Sequence, residues 1–335
     1  MSTERRTSEV PRAAIISTGK YLPKKVLTNF DLEKIVDTTD EWIKTRTGIS
    51  ERHIAGEDEA TSDLAAKAGM DALRKAGREA SELDMIIVAT FSPDVYLSST
   101  SCRVQTLLGA MNAGCFDIAA ACSGFIYGLS IGASYIQTGV AKKVLVVGTE
   151  ILSRFLDWTD RSTCVLFGDG AGAMILGPSK GKHELLDFIL KADGTGWDLL
   201  KIPAGGSRKP PSHETVDNRE HTIKMAGREI YKFAVNKLGW LIEEAAKRQG
   251  ITTKEIDKVI PHQVNFRIVE SSTERLGLKP EQFYLNLERY GNTSGASIPI
   301  AFDEALAEGF IEDGDLVVLP SFGAGLTYAA AVVRW

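Results

Sequence analysis

The chain is poor in cysteine and histidine. Of its 335 residues four are Cys and five are His. The cysteines stand at 102, 115, 122 and 164, with no Cys-x-x-Cys pair. Neither a zinc site nor a disulfide framework is therefore expected, and a reducing compartment, the cytoplasm, fits this usage. A basic excess is also missing. Lys and Arg number 39 against 44 Asp and Glu, a net charge of −5, which excludes a general nucleic-acid binder but leaves local basic patches open. The start, MSTERRTSEVPR, has no apolar run. It reads as no secretory signal, and residues 1–11 as a disordered tail. Residues 118–140 carry no charge, but they are rich in Gly, Ala, Ser and Tyr rather than Leu. They predict a helix inside a large core and not a membrane span.

What is present is ordinary globular composition, 44% hydrophobic and 25% charged, in a length that suits two domains or one double unit. Strands are expected at 13–17, 85–90, 143–148, 165–167 and 173–176, and helices at 62–76 and through 104–108. The plan then repeats. ELDMIIVAT (82–90) resembles EIDKVIPHQ (255–263) at an offset of 173, and KVLVVGTE (143–150) resembles DLVVLPSF (315–322) at 172. This predicts a duplication, with an N-terminal half at 12–180 and a C-terminal half at 181–335. Residues 205–221, polar with two prolines, are longer than an ordinary connection and read as a surface flap.

The offset also pairs two small-residue elbows, AACSGF around Cys122 and GNTSGAS at 291–297. Cys122 alone reads first as a packed core thiol and only second as a nucleophile at a helix start, where amides favour the thiolate. His262 in IPHQVNFR follows a buried strand, at the end where α/β sheets place their sites. Asn292 in RYGNTSGAS alone reads as a helix N-cap. Taken together, at strand ends related by the repeat, they form a Cys–His–Asn set suited to covalent catalysis. FGDGAGAM and SFGAGLTY each lie between strand-like runs, without a Walker lysine. They read as close-approach turns, one of which offers an oxyanion-hole amide, and not as phosphate cradles. Trp42 and Arg46, four apart in DEWIKTR, share a helix face that could sandwich an adenine.

In order, DEWIKTRTGISERHIA, AACSGF, DRSTCVLFGDGAGA, PHQVNFRI and GNTSGASIP resemble the bacterial β-ketoacyl-acyl-carrier-protein synthase III family, over about residues 12–335. The resemblance implies the thiolase fold, an α/β five-layered α-β-α-β-α duplication, and a cytoplasmic homodimer that needs no metal and no cofactor, coenzyme A thioester being a substrate. It implies decarboxylative condensation of an acyl-CoA, acetyl-CoA first among them, with malonyl-acyl-carrier protein. Cys122 would take the acyl group. His262 and Asn292 would hold the malonyl thioester carbonyl, and the backbone N–H groups of Cys122 and Ala324 would form the other oxyanion hole. Trp42, Arg46 and Arg161 would grip coenzyme A. Lys232, Arg267 and Arg275 would dock the carrier protein; Glu274 stands where the family can have Lys. Leu97 replaces a Phe that lines the partner subunit's acyl pocket, which opens the primer choice. No second catalytic Cys follows Cys164, as a thiolase would need. AACSGF offers no carboxylate of the hydroxymethylglutaryl-synthase kind. A starter-unit synthase of a polyketide pathway remains as an alternative with the same chemistry.

Overall fold

The computed structural model describes residues 12–335, apart from the side chains of Glu274 and Arg275. The expected tail, 1–11, lies outside them. The strands are β1 (Ala13–Tyr21), β2 (Lys25–Thr28), β3 (Glu51–Ile54), β4 (Met85–Ala89), β5 (Gly114–Ile118), β6 (Val144–Glu150), β7 (Gly170–Pro178), β8 (Glu184–Ala192), β9 (Leu200–Lys201), β10 (Lys224–Met225), β11 (Lys258–Val259), β12 (Leu316–Gly323) and β13 (Thr327–Arg334). The helices are α1 (Asn29–Leu32), α2 (Asp40–Thr47), α3 (Thr61–Ala76), α4 (Thr100–Leu108), α5 (Gly124–Thr138), α6 (His213–Asp217), α7 (Gly227–Gln249), α8 (Phe266–Leu276), α9 (Leu287–Tyr290) and α10 (Ser297–Ala307).

Among the described residues nine strands join in the order β11-β12-β13-β8-β1-β7-β6-β4-β5. The order is nearly symmetric about the β8–β1 contact, a single antiparallel pair, Ala14 with Glu184. On one side β4 and β6 run parallel, and on the other β11 and β12 do. These are the strands that the sequence repeat relates. β5, parallel to β4, has only a one-residue counterpart in the bridge between Val259 and Phe283.

Periodicity decides where helices go. α3 is started by Asp63, whose carboxylate accepts the Ala60 N–H at 2.8 Å, and is stopped by Gly77 at φ 60°. Its apolar face joins Leu83, Ile86, Val88, Leu145 and Val147 in one cluster. β4 and β6 are apolar on both faces because helices cover both. α7 and α8 cover the far side of the other half-sheet. Between the halves lie α5 and α10, whose Ile126, Leu129, Ile298 and Phe302 share one core with β6, β12 and β13. The result is α-β-α-β-α layering. The charge-free stretch is explained by this central layer: a Cβ on Gly128 would sit 3.0 Å from Val146, so the glycine lets α5 lie flat on β6. Among the described residues no helix is long and apolar enough to cross a membrane.

One expectation is corrected. Residues 165–167 form no strand. They lie in turns, buried with Leu32, Ile43 and Leu287, and only Phe167 makes a bridge, to Asn292. Their apolar run reflects packing, and FGDGAGAM therefore does not join two strands. Residues 205–221 lie at the surface as expected, most of them exposed, and fold on themselves. The segment holds α6, capped by Ser212 with Thr215. Ala204 N–H donates to Glu220 O at 3.0 Å and pins its ends together.

Candidate active site

β5 stops at Ile118, and the chain turns through one 3₁₀ turn, Ala121–Ser123, into α5. Ala121 is held at φ 47°, a left-handed conformation costing a non-glycine residue roughly 1–2 kcal/mol. Bonds from the opposite half brace it. Thr327 Oγ1 donates to Ala120 O at 3.0 Å and Ser321 Oγ to Cys122 O at 2.7 Å. The elbow sets Cys122 against its own N–H at the helix start, as the sequence suggests. The thiol is not acidified by that position, however. Burial pushes it up to about 12, and the Glu150 carboxylate pushes the same way, while the Ser294 hydroxyl and the Cys122 N–H pull against them. Desolvation outweighs the helix amides, so the resting sulfur is a thiol.

His262 follows β11 and continues beside β12, its N–H donating to Pro320 O at 2.9 Å. Its Nδ1 lies 2.7 Å from Ser297 Oγ, which also accepts the Gln263 N–H at 3.3 Å. With the serine hydrogen donated to Nδ1, the ring proton would sit on Nε2. Burial lowers the imidazole to about 3, so it is neutral. Asn292 does not cap α10. Its Oδ1 accepts the Ser294 N–H at 2.8 Å and so braces the 3₁₀ turn Ser294–Ala296 that precedes α10. Nδ2 makes no hydrogen bond among the described residues. Cys122, His262 and Asn292, from three separate segments, line one cavity of about 50 Å³ with Phe322 and Gly323.

A second cavity, about 340 Å³, opens from Cys122 and Ala324 between Phe91, Phe155, Leu200 and Ile202. Gly323 explains how β12 can pass so near: a Cβ there would lie 2.7 Å from the Cys122 nitrogen. Leu97 lines neither cavity. It is fully exposed at φ 82°, whereas its neighbour Tyr96 reaches the larger one.

Trp42 sits on α2, capped by Thr39. The guanidinium of Arg46 lies 4.9 Å and that of Arg161 5.2 Å from its ring centre, so the three come together as expected. Arg161 also donates to Asp37 O at 2.8 Å. Arg267 lines a cleft of about 480 Å³ with Trp42 and Arg46, a neighbourhood that the sequence did not suggest. Lys232 on α7 and Arg267 on α8 are both exposed, on helices that pack together through Tyr231 and Ser271. Arg275's side chain lies outside the described residues.

Sequence reasoning missed three residues. Ser297 lay in a motif read only for its size. Ser294 lay in the elbow paired with AACSGF but was given no task. Glu150 ends β6, and the only available signal was its place at the carboxyl end of a strand.

The family model described as 3-oxoacyl-[acyl-carrier-protein] synthase III matches residues 116–194, and that of the C-terminal part matches 246–335. A β-ketoacyl-[acyl-carrier-protein] synthase III from Caldanaerobacter subterraneus subsp. tengcongensis is 54% identical over 323 residues, covering 96% of this chain and 98% of the relative. One from Natranaerobius thermophilus is 52% identical, covering 96% and 99%. Among solved structures, a 3-oxoacyl-[acyl-carrier-protein] synthase III from Aquifex aeolicus matches with TM-score 0.89 at 48% identity, covering 96% of this chain and all of that one. The priming β-ketosynthase of the R1128 polyketide pathway has the same TM-score at 34% identity, covering 98% of each. Motif order, layered duplication and likeness along nearly the whole length agree: the chain belongs to the β-ketoacyl-acyl-carrier-protein synthase III family, condensing acyltransferases of the thiolase fold.

Proposed function

We propose that this chain joins the acyl group of an acyl-CoA, acetyl-CoA first among them, to malonyl-acyl-carrier protein with loss of carbon dioxide, the reaction by which its family opens fatty-acid synthesis. The observation that carries the assignment of residues is the shared cavity of Cys122, His262 and Asn292. In the first half-reaction Cys122 Sγ attacks the thioester carbonyl, and the N–H groups of Cys122 and Ala324 hold the oxygen as it becomes negative. Coenzyme A leaves, and the acyl group stays on sulfur. In the second, His262 Nε2–H and Asn292 Nδ2–H hold the malonyl thioester oxygen. A neutral donor suits this task, since it stabilises the enolate oxygen without titrating near neutral pH. Carbon dioxide departs, and the enolate carbon attacks the acyl-Cys122 carbonyl to give 3-oxoacyl-carrier protein.

Around this centre we assign Trp42, Arg46 and Arg161 to the nucleotide end of coenzyme A, on the two guanidinium groups held over the Trp42 ring. Lys232, Arg267 and Arg275 are assigned to the acidic carrier protein. We take the enzyme as a cytoplasmic homodimer of two-half subunits, 12–180 and 181–335, needing no cofactor. Leu97, exposed on its own subunit, then reaches the partner's acyl pocket. The test separates the half-reactions. Cys122→Ala is expected to load no acyl group by intact-protein mass spectrometry, whereas Asn292→Ala loads normally and releases labelled carbon dioxide about 10²–10³-fold more slowly. Full decarboxylation by Asn292→Ala would overturn the assignment.

A further inference from the structure

Arg52 on β3 is wholly buried, yet among the described residues it pairs with no carboxylate. Burial lowers the guanidinium to about 10, so it stays charged at neutral pH. A buried cation without a counterion is costly. Its bonds show what it holds in place. One terminal nitrogen donates to Asn29 Oδ1 at 2.8 Å and to Leu27 O at 3.3 Å, and the other donates to Val165 O at 2.7 Å. Asn29 is buried as well and is itself fixed. Its Nδ2 donates to Ile49 O at 2.7 Å and to Asp40 Oδ1 at 3.0 Å. The guanidinium is thus clamped to the corner between β2 and α1 on one side and grips the 165–168 turns on the other.

Val165 stands directly before the residues that hold Asn292. The Asn292 N–H donates to Leu166 O at 2.8 Å, and Asn292 O accepts the Gly168 N–H at 3.0 Å, which makes a one-residue parallel bridge to Phe167. The stem of Arg52 lies against both chains of this bridge. A Cβ on Gly168 would be 3.0 Å from Arg52 Cβ, and one on Gly291 would be 3.5 Å from it. Residues 165–167 belong to no helix or extended strand, so no ladder fixes their position. Their apolar packing with Leu32, Ile43 and Leu287 is non-directional. The charged bond to Val165 O supplies the direction.

We infer that Arg52, braced by Asn29, is a positioning residue for Asn292: it fixes the 165–168 turns, and their bridge fixes the backbone from which the Asn292 carboxamide reaches the cavity. The inference rests on Asn292 holding the malonyl thioester oxygen. The Cys122 elbow is braced separately, from β12 and β13 by Ser321 and Thr327, and those bonds do not pass through Arg52.

The test follows both half-reactions in Arg52→Met: acyl loading at saturating acetyl-CoA by intact-protein mass spectrometry, and release of labelled carbon dioxide from malonyl-carrier protein. Loading should stay within about 2-fold of the wild type while release slows about 10-fold or more, since a misplacement of about 1 Å is costly at a reacting centre. In an Asn292→Ala background the same substitution should slow release by no more than about a further 2-fold, because the group it positions is gone. Arg52→Lys keeps the charge and the stem, but one ammonium cannot span Asn29 and Val165. A smaller loss of release is expected there, and this variant serves if Arg52→Met does not fold. Wild-type release in both Arg52 variants would overturn the inference. So would a loss that falls equally on loading and release in a folded variant, or one that is undiminished in the Asn292→Ala background; either would leave Arg52 as scaffold alone. Wild-type release in Asn292→Ala itself would instead overturn the proposed role of Asn292, whereas slow release there with wild-type release in the Arg52 variants would count against the positioning alone.

Discussion

The two elbows have nearly the same backbone and opposite chemistry. Ala121 at φ 47° and Ser294 at φ 50° stand 173 residues apart, each opening a 3₁₀ turn that leads into a central helix. Position by position, Ala121, Cys122 and Gly124 face Ser294, Gly295 and Ser297. The first elbow carries the sulfur among apolar neighbours. The second has no thiol but supplies hydroxyls: Ser294 to Glu150 beside the first elbow and Ser297 to His262. On the proposed roles, one copy holds the nucleophile and the other its support. A strand glycine from each half makes the contact possible. Gly323 of β12 passes close to Cys122, and a Cβ on Gly148 of β6 would collide with the Gly295 carbonyl.

Three substitutions probe this division. Gly323→Ala should do most damage, because its Cβ would press on the amide that holds the oxyanion. A loss of about 10²-fold or more in acyl loading is expected, measured by single-turnover mass spectrometry. Ser297→Ala should act on the other half-reaction alone. With the Nδ1 partner gone the imidazole tautomer is no longer fixed, and carbon dioxide release should slow about 10-fold while loading stays intact. Gly295→Ala should do least. A Cβ there would meet the Ala121 and Ala89 oxygens at 3.6 and 3.7 Å, ordinary contacts, at a backbone angle open to any residue. Rates within about 2-fold of the wild type are expected; a severe loss would mean that the bare second elbow is itself required.

This division was partly legible in the sequence. Strand runs such as MIIVAT and KVLVVG are apolar because helices bury both their faces, so the duplication could be read from pattern alone. The Cys–His–Asn set followed from where those residues sit in the repeat. Val165 and Phe167 misled because burial, not pairing, makes them apolar. Residues 205–221 were legible as a surface segment from polarity alone, but not the short side-chain bonds, such as Thr215 Oγ1 to His221 Nε2 at 2.9 Å, that fold it on itself. Glu150 stayed hidden because it lies far from AACSGF in sequence, and the acid close to that motif, Asp117, caps α4 instead. The sheet order brings β6 beside β4 and so brings the carboxylate to the elbow. The thiol's protonation was misjudged for a related reason, since local amides can be read from a motif and total burial cannot.

Arg267 has a consequence for timing. It borders the same recess as Trp42 and Arg46, so on the assigned roles the carrier protein and the nucleotide compete for one doorway. Whichever is seated keeps the other out. On those roles, departure of the first product would be a precondition for arrival of the second substrate.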